Sequence, residues 1–223
     1  MRELTFNTFF ERFLPTIGKA AADVLVGSVE GERHCSAISD AVREAYEHDF
    51  WHGIILIEER TPDDGRLVAR DESGETEIDT VQGFYPTEDN AREQTSAISA
   101  ARTPAGWRLG ASCTSVFVRF RPVAPVFTRT EHVAETVYAT NDLTFLAATG
   151  KCYRARAEST GDAPATDVAL WKEVPFPGFF ETYVKAAAAA ANSRYERQWE
   201  QAGINRSVAD KELNRLRNVM KQG

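Results

Sequence analysis

Six consecutive alanines, Ala186 to Ala191, follow closely on an aromatic-rich stretch, and this junction restricts the chain more than any other feature. Alanine has the highest helix propensity and loses no side-chain entropy, so the run predicts a helix. Phe180, Val184, Ala188, Ala191, Tyr195 and Trp199 recur around it at three- and four-residue steps, the spacing of one helical face. Small side chains also let a second helix approach closely. Gly203 is expected to end this helix, and Ser207 with Asp210 to cap another whose stripe is Val208 or Ala209, Leu213, Leu216 and Met220. The pair reads as an αα-hairpin. Upstream, Tyr138, Asn141-Asp142-Leu143, Thr149 to Ala155, Pro164 and Leu170-Trp171 predict three short strands. Thr149-Gly150 would turn a hairpin, with Tyr138, Tyr153 and Trp171 sharing one face. Val174-Pro175-Phe176-Pro177-Gly178 joins the two modules.

The N-terminal part is also helical by pattern. Thr8 with Glu11 has capping-box spacing, and Phe9, Phe10 and Phe13 give an apolar face. Pro15 kinks that helix or lets a second piece run from Thr16 to about Val26, with Gly27 as the stop. Ser28 to His34 reads as a loop. From Ser36, Ile38, Ala41, Val42, Ala45 and Tyr46 mark a helix reaching Phe50. Strands then follow at Ile54 to Ile57, Arg66 to Arg70, Ile78 to Tyr85 and Val116 to Phe120, the first ending at a Thr61-Pro62-Asp63-Asp64-Gly65 turn. Residues 86–115 lack periodicity and are expected to form a long loop with a short helix near Asn90 to Ser99. Pro122 and Pro125 mark a joint.

The predicted class is therefore α+β, with N- and C-terminal helices forming a helical bundle and an antiparallel β domain inserted between them. Its parts are 1–52 (N-terminal helices), 53–125 (inserted β region), 126–177 (small aromatic submodule) and 178–223 (C-terminal hairpin). At 223 residues the chain can bury a core. No window approaches the roughly 18 consecutive apolar residues of a spanning helix, and Met1-Arg2-Glu3-Leu4 lacks a secretory start, so the chain is expected to fold where it is made. Cys35, Cys113 and Cys152 are odd in number and widely spaced, which predicts reduced, half-buried thiols.

Catalytic signatures are missing. His48 and His52 stand four apart with His34-Cys35 upstream, but no Glu follows His48 in the metalloprotease pattern and Gly53 frays the helix, so no metal site is expected. Glu58 and Glu59 are adjacent and would point to opposite faces of a strand, and Asp142 with Glu158 is no better a glycosidase pair. Without a Gly-x-Ser-x-Gly or a phosphate loop, neither an enzyme nor a cofactor is expected.

Several stretches together carry a family likeness. They are Ala45-Tyr46-Glu47-His48-Asp49-Phe50-Trp51 followed by Ile57-Glu58-Glu59-Arg60; Val81 to Tyr85; Val118-Arg119-Phe120-Arg121-Pro122; Thr149 to Ala155; Leu170-Trp171; and Pro175-Phe176-Pro177 leading into Tyr183-Val184-Lys185-Ala186-Ala187. In this the chain resembles structural proteins of tailed bacteriophages, and more narrowly the head-to-tail adaptor (connector) class. Gln201-Ala202-Gly203-Ile204-Asn205 stands where that class often has a helix–Gly-Gln–helix turn, which leaves adaptor, stopper and tail-completion roles open. The resemblance implies a homo-oligomeric ring of about twelve copies. It also implies a portal protein and a next neck or tail protein as partners, genomic DNA passing without specific binding, assembly in the host cytoplasm, and residence in the virion neck.

Charge suggests where such partners would meet the chain. Residues 1–177 hold 18 Lys and Arg against 28 Asp and Glu, whereas residues 178–223 hold 8 against 5, so an acidic body carries a basic tail. Free DNA binding by the body is not expected. Glu58, Glu59, Asp63, Asp64, Glu75 and Glu77 are candidates for an acidic lumen, and Arg194, Arg197, Arg206, Lys211, Arg215 and Arg217 for a portal interface. Solvated strand and helix faces account for the same charges. The rival reading is a carbohydrate-binding or tail-associated module that stacks sugars on Tyr138, Tyr153 and Trp171, and it requires those rings to be exposed.

Overall fold

The computed structural model describes residues 4–48, 54–68, 77–161 and 163–221. It is an α+β chain, and the described residues form five α-helices and several small antiparallel sheets. Two compact units partition it, one made of Met1–Asp49 and Ala124–Gly223, the other of Phe50–Val123.

Helix α1 (Phe6–Phe13) starts a turn earlier than the Thr8 cap predicts. Thr5 is the N-cap, its hydroxyl accepting from the Thr8 amide, while Glu11 accepts from the Asn7 side chain at 2.8 Å. The earlier start brings Phe6 onto the same face as Phe9, Phe10 and Phe13, and all four rings are buried. The expected helix from Thr16 to Val26 does not form. Pro15 sits in a 3-10 turn, Leu14–Ile17, closed by Gly18 at φ 72°, and a second 3-10 turn covers Ala21–Asp23. Val24 is the single buried residue between Lys19 and Gly27, so no continuous apolar stripe exists to hold a helix there. Helix α2 (Val29–His48) instead begins inside the supposed loop. Ser28 caps it by accepting from the Gly31 amide at 3.0 Å. Its buried face includes Ile38, Ala41, Val42, Ala45 and Tyr46 as read from the pattern, and adds His34 and Cys35.

In the second unit, β1 (Leu56–Arg60), β2 (Arg66–Leu67) and β3 (Ile78–Tyr85) lead to α3 (Glu88–Glu93), then β4 (Ala100–Thr103), β5 (Gly106–Leu109) and β6 (Val116–Pro122). Strand β6 lies between β1 and β3, and β5 between β2 and β4, all antiparallel. Their core is Leu67, Ile78, Phe84, Leu109, Val116, Val118 and Phe120. Residues 86–115 hold the expected short helix, α3, a little earlier than Asn90 to Ser99, but the β4–β5 hairpin stands where a loop was expected. Gly106 at φ 132° is required in the turn of that hairpin, since a Cβ there would meet the Leu67 carbonyl oxygen at 2.2 Å. Arg119 of β6 is buried although it is charged, donating to Gln82 at 2.6 Å and to the Ala91 carbonyl of α3. Residues 69–70 of the predicted second strand lie outside the described residues.

Returning to the first unit, β7 (Val137–Tyr138) pairs with β10 (Ser159–Thr160), and β9 (Lys151–Ala155) lies between β8 (Leu143–Leu146) and β11 (Trp171–Val174). Gly150 turns the β8–β9 hairpin at φ 69°, its carbonyl accepting from the Asn7 amide of α1 at 2.9 Å. The same unit brings α1 onto this module through stacked rings, Phe9 on Phe176 (4.0 Å between centroids) and Phe6 on Phe127 (4.7 Å). A 3-10 turn, Gly178–Phe180, then feeds α4 (Glu181–Tyr195), whose buried residues include Tyr183, Val184 and Ala187 to Ala190 and which packs on α2 and α5. Ala191 and Tyr195, expected in that stripe, are exposed, as is Trp199. The break falls before Gly203: Gln198 donates to the Ser193 carbonyl at 2.8 Å and Arg197 turns left-handed at φ 61°. Helix α5 (Trp199–Lys221) runs uninterrupted through Gly203 and Ser207, burying Ala202, Ala209, Leu213 and Leu216.

Candidate interaction surfaces

The predicted acidic set is spread over β1, the turn into β2 and the start of β3. Glu58 and Glu59 alternate across β1, and Glu58 accepts from the buried Arg60 at 2.8 Å. Asp63 and Asp64 occupy the tight turn into β2, where Asp63 and Arg66 exchange backbone hydrogen bonds. Glu77 flanks β3, its carbonyl accepting from Val123, and Glu75 lies outside the described residues.

The basic set divides by environment. Arg206 on α5 grips Glu44 of α2 with both terminal nitrogens, one at 2.8 Å, and its Nε lies 2.9 Å from Asp210. The bidentate hydrogen bond from Arg206 holds the Glu44 carboxyl below its ordinary range, and the reciprocal bond raises the guanidinium. Tyr183 of α4 sits beside the same carboxylate, and burial first, then Glu44, pushes its phenol up. Arg206 is therefore a clamp between α2 and α5. Arg215 is held by Glu212 at 2.8 and 2.6 Å. Arg194, Arg197, Lys211 and Arg217 are exposed.

The aromatic module closes on itself. Tyr138 (7 % exposed), Tyr153 (6 %) and Trp171 (2 %) share one cluster, as the spacing predicts. Trp171 meets Tyr138 edge-on at 5.1 Å, His132 stacks on the other ring of that pair, Tyr138, and the Tyr138 hydroxyl accepts from the Val133 amide. Rings covered in this way present no face to a sugar and serve as the module's core.

His48 is exposed and His52 lies outside the described residues; among the described residues no group of three His, Cys, Asp or Glu side chains is set to hold a metal. Cys35 and Cys152 are buried free thiols. Burial pushes the Cys152 thiol up to about 12 and Cys35 further in the same direction, so neither is a reactive thiolate near neutrality. Among the described residues no helix is long and apolar enough to cross a membrane.

What the sequence pattern did not expose is the outer face of the C-terminal hairpin. Ile204 (52 % exposed), Val208 (47 %) and Val219 (53 %) lie at helical spacing on the flank of α5 beside its buried stripe. Tyr195 and Trp199 stand in solvent at the α4–α5 corner, Tyr195 carrying Arg33 over its ring at 4.2 Å. A cleft of about 540 Å³ lined by Gln198, Trp199, Glu200, Gln201 and Ile204 opens at the same corner. The signal was present as a second apolar stripe in α5, hidden because Val208 and Ala209 competed for the inner one. No protein-family model matches the chain, and no curated protein matches it in sequence.

Proposed function

We propose that this chain is a structural subunit of a tailed-phage neck, a head-to-tail adaptor that works as one of about twelve copies around a shared axis. In this reading the N- and C-terminal helices form the bundle and the β region of residues 50–123 is the insert. The helices engage a portal ring, the β region receives the next neck or tail protein, and DNA passes through without specific binding. The subunit assembles in the host cytoplasm and resides in the virion neck.

One observation carries the reading: α5 has a second, exposed apolar stripe beside its buried one, and an apolar stripe left in water on a long helix suits a partner. Its inner stripe is covered by α4. Its outer stripe is in water, interleaved with Lys211 and Arg215, on a chain whose body is acidic. Surface of this kind suits assembly between copies or against an acidic ring better than it suits catalysis. The residual lumen candidates are Glu59, Asp63 and Asp64, whose side chains are exposed.

Light scattering on the purified chain, alone and mixed with the portal protein of the same genome, tests this. A ring or a portal complex is the expected result. A chain that stays monomeric at high concentration and does not bind the portal removes the basis of the assignment.

A further inference from the structure

A buried histidine is one feature of the first unit that packing alone leaves unexplained. His34 on α2 is 1 % exposed, and neither ring nitrogen has a hydrogen-bond partner. Phe10 and Phe13 of α1 hold the ring at 6.4 and 5.9 Å between centroids. Buried polar groups are nearly always bonded, so an unbonded imidazole calls for a role. Glu30 Oε1 lies 3.7 Å from Nε2.

That same oxygen has two other suitors. Lys19 Nζ lies 3.2 Å from it and Arg33 Nη2 3.6 Å. Lys19 belongs to the exposed segment between Gly18 and Gly27, two glycines in left-handed conformation at φ 72° and 71°. The segment is held at its far end by the Gly27 amide donating to Arg129 and in the middle by buried Val24. Its near end is fastened to α2 through Lys19 and Glu30.

We propose that His34 is a proton sensor: on acidification its imidazolium takes the Glu30 carboxylate from Lys19 and loosens residues 18–27. The proton comes from solvent to Nε2, and the Lys19 ammonium passes to water, so charge is conserved at the site. Burial, followed by the positive charge of Arg33, holds the His34 pKa below that of an ordinary imidazole. The hydrogen bond from Lys19 holds Glu30 below the usual carboxylate range, so Glu30 stays charged while His34 titrates. The charged groups around the ring are Glu30 and Arg33 on its own helix, Lys19 from the segment, and Glu196 at the end of α4. The sign follows from the lowered pKa: the fastened form is complete through the ordinary imidazole range and is lost as pH falls through the lower value of folded His34.

Native-state hydrogen exchange of residues 19–26 in the full chain, corrected for the intrinsic rate, reads the device between pH 7.5 and 5. In the wild type, exchange should rise roughly two- to fivefold, the weight of one partly exposed ion pair. His34→Phe should abolish the rise, while Lys19→Gln should exchange fast already at pH 7.5 and change no further. If His34→Phe does not fold, the wild-type imidazole resonance supplies the check, and its titration midpoint should coincide with that of the segment. An unchanged segment in the wild type, a rise that persists in His34→Phe, or midpoints that disagree would each overturn the proposal.

Discussion

Two regions of this molecule concentrate aromatic rings, and they use them in opposite ways. In the β7–β11 module Tyr138, Tyr153 and Trp171 are almost wholly covered by one another and by His132. At the α4–α5 corner Tyr195 and Trp199 are each about two-thirds exposed, beside Ile204 and Val208. A module of a few short strands can bury enough area only by spending its largest side chains inside. A long helical hairpin closes its seam with alanines and leucines and leaves large side chains free for a partner. Ring content therefore says little about function until burial is known.

The comparison can be broken by substitution, and the stability effects should descend in a set order. Trp171→Ala removes a fully covered ring and should cost about 3–5 kcal/mol in urea unfolding, enough to threaten folding of the first unit. A loss under about 1 kcal/mol would mean that the module does not depend on its rings. Arg206→Ala breaks the clamp between α2 and α5 and should cost about 1 kcal/mol, since both partners are partly in solvent. The same variant should flatten the acid limb of the stability curve: Glu44 has a depressed pKa, so its contribution is present above about pH 4.3 and is lost as pH falls through the folded value. Gly203→Ala should stabilise by roughly 0.5–1 kcal/mol, because Gly203 lies inside α5 with open space where a Cβ would go. Smallest of all, Val208→Asp should move stability by no more than about 0.5 kcal/mol. Measured by light scattering, however, that exposed change should disrupt assembly most, and assembly unaffected by it would move the interface elsewhere.

Much of the local structure was legible. The stripe of α2, the strand Ile78 to Tyr85, the Gly150 hairpin and the shared face of Tyr138, Tyr153 and Trp171 all follow from spacing and turn chemistry. Misreadings cluster where a local signal had a competitor. Thr5 won the cap from Thr8 because a start there aligns four phenylalanines instead of three. Ser28 to His34 looked too polar for a helix, yet Glu32 in its first turn accepts from the Arg129 amide at 2.6 Å and from the Thr128 and Thr130 hydroxyls, partners about a hundred residues away. Gly203 looked like a stop, but the chain had already turned at Arg197. The charged candidates fared differently, since a list of arginines cannot separate Arg206, committed to Glu44, from Arg194 in solvent.

By itself, the sequence determined which segments are helix and which are strand wherever a single periodicity dominates, and it determined the acidic body and basic tail, because these depend on neighbours along the chain. Tertiary structure alone decided which of the two apolar stripes of α5 faces inward, which aromatic rings see water, and that His34, Glu30 and Lys19 meet at one oxygen. Those outcomes depend on packing and charge pairing between residues far apart in the chain, where no local pattern records who the neighbour will be.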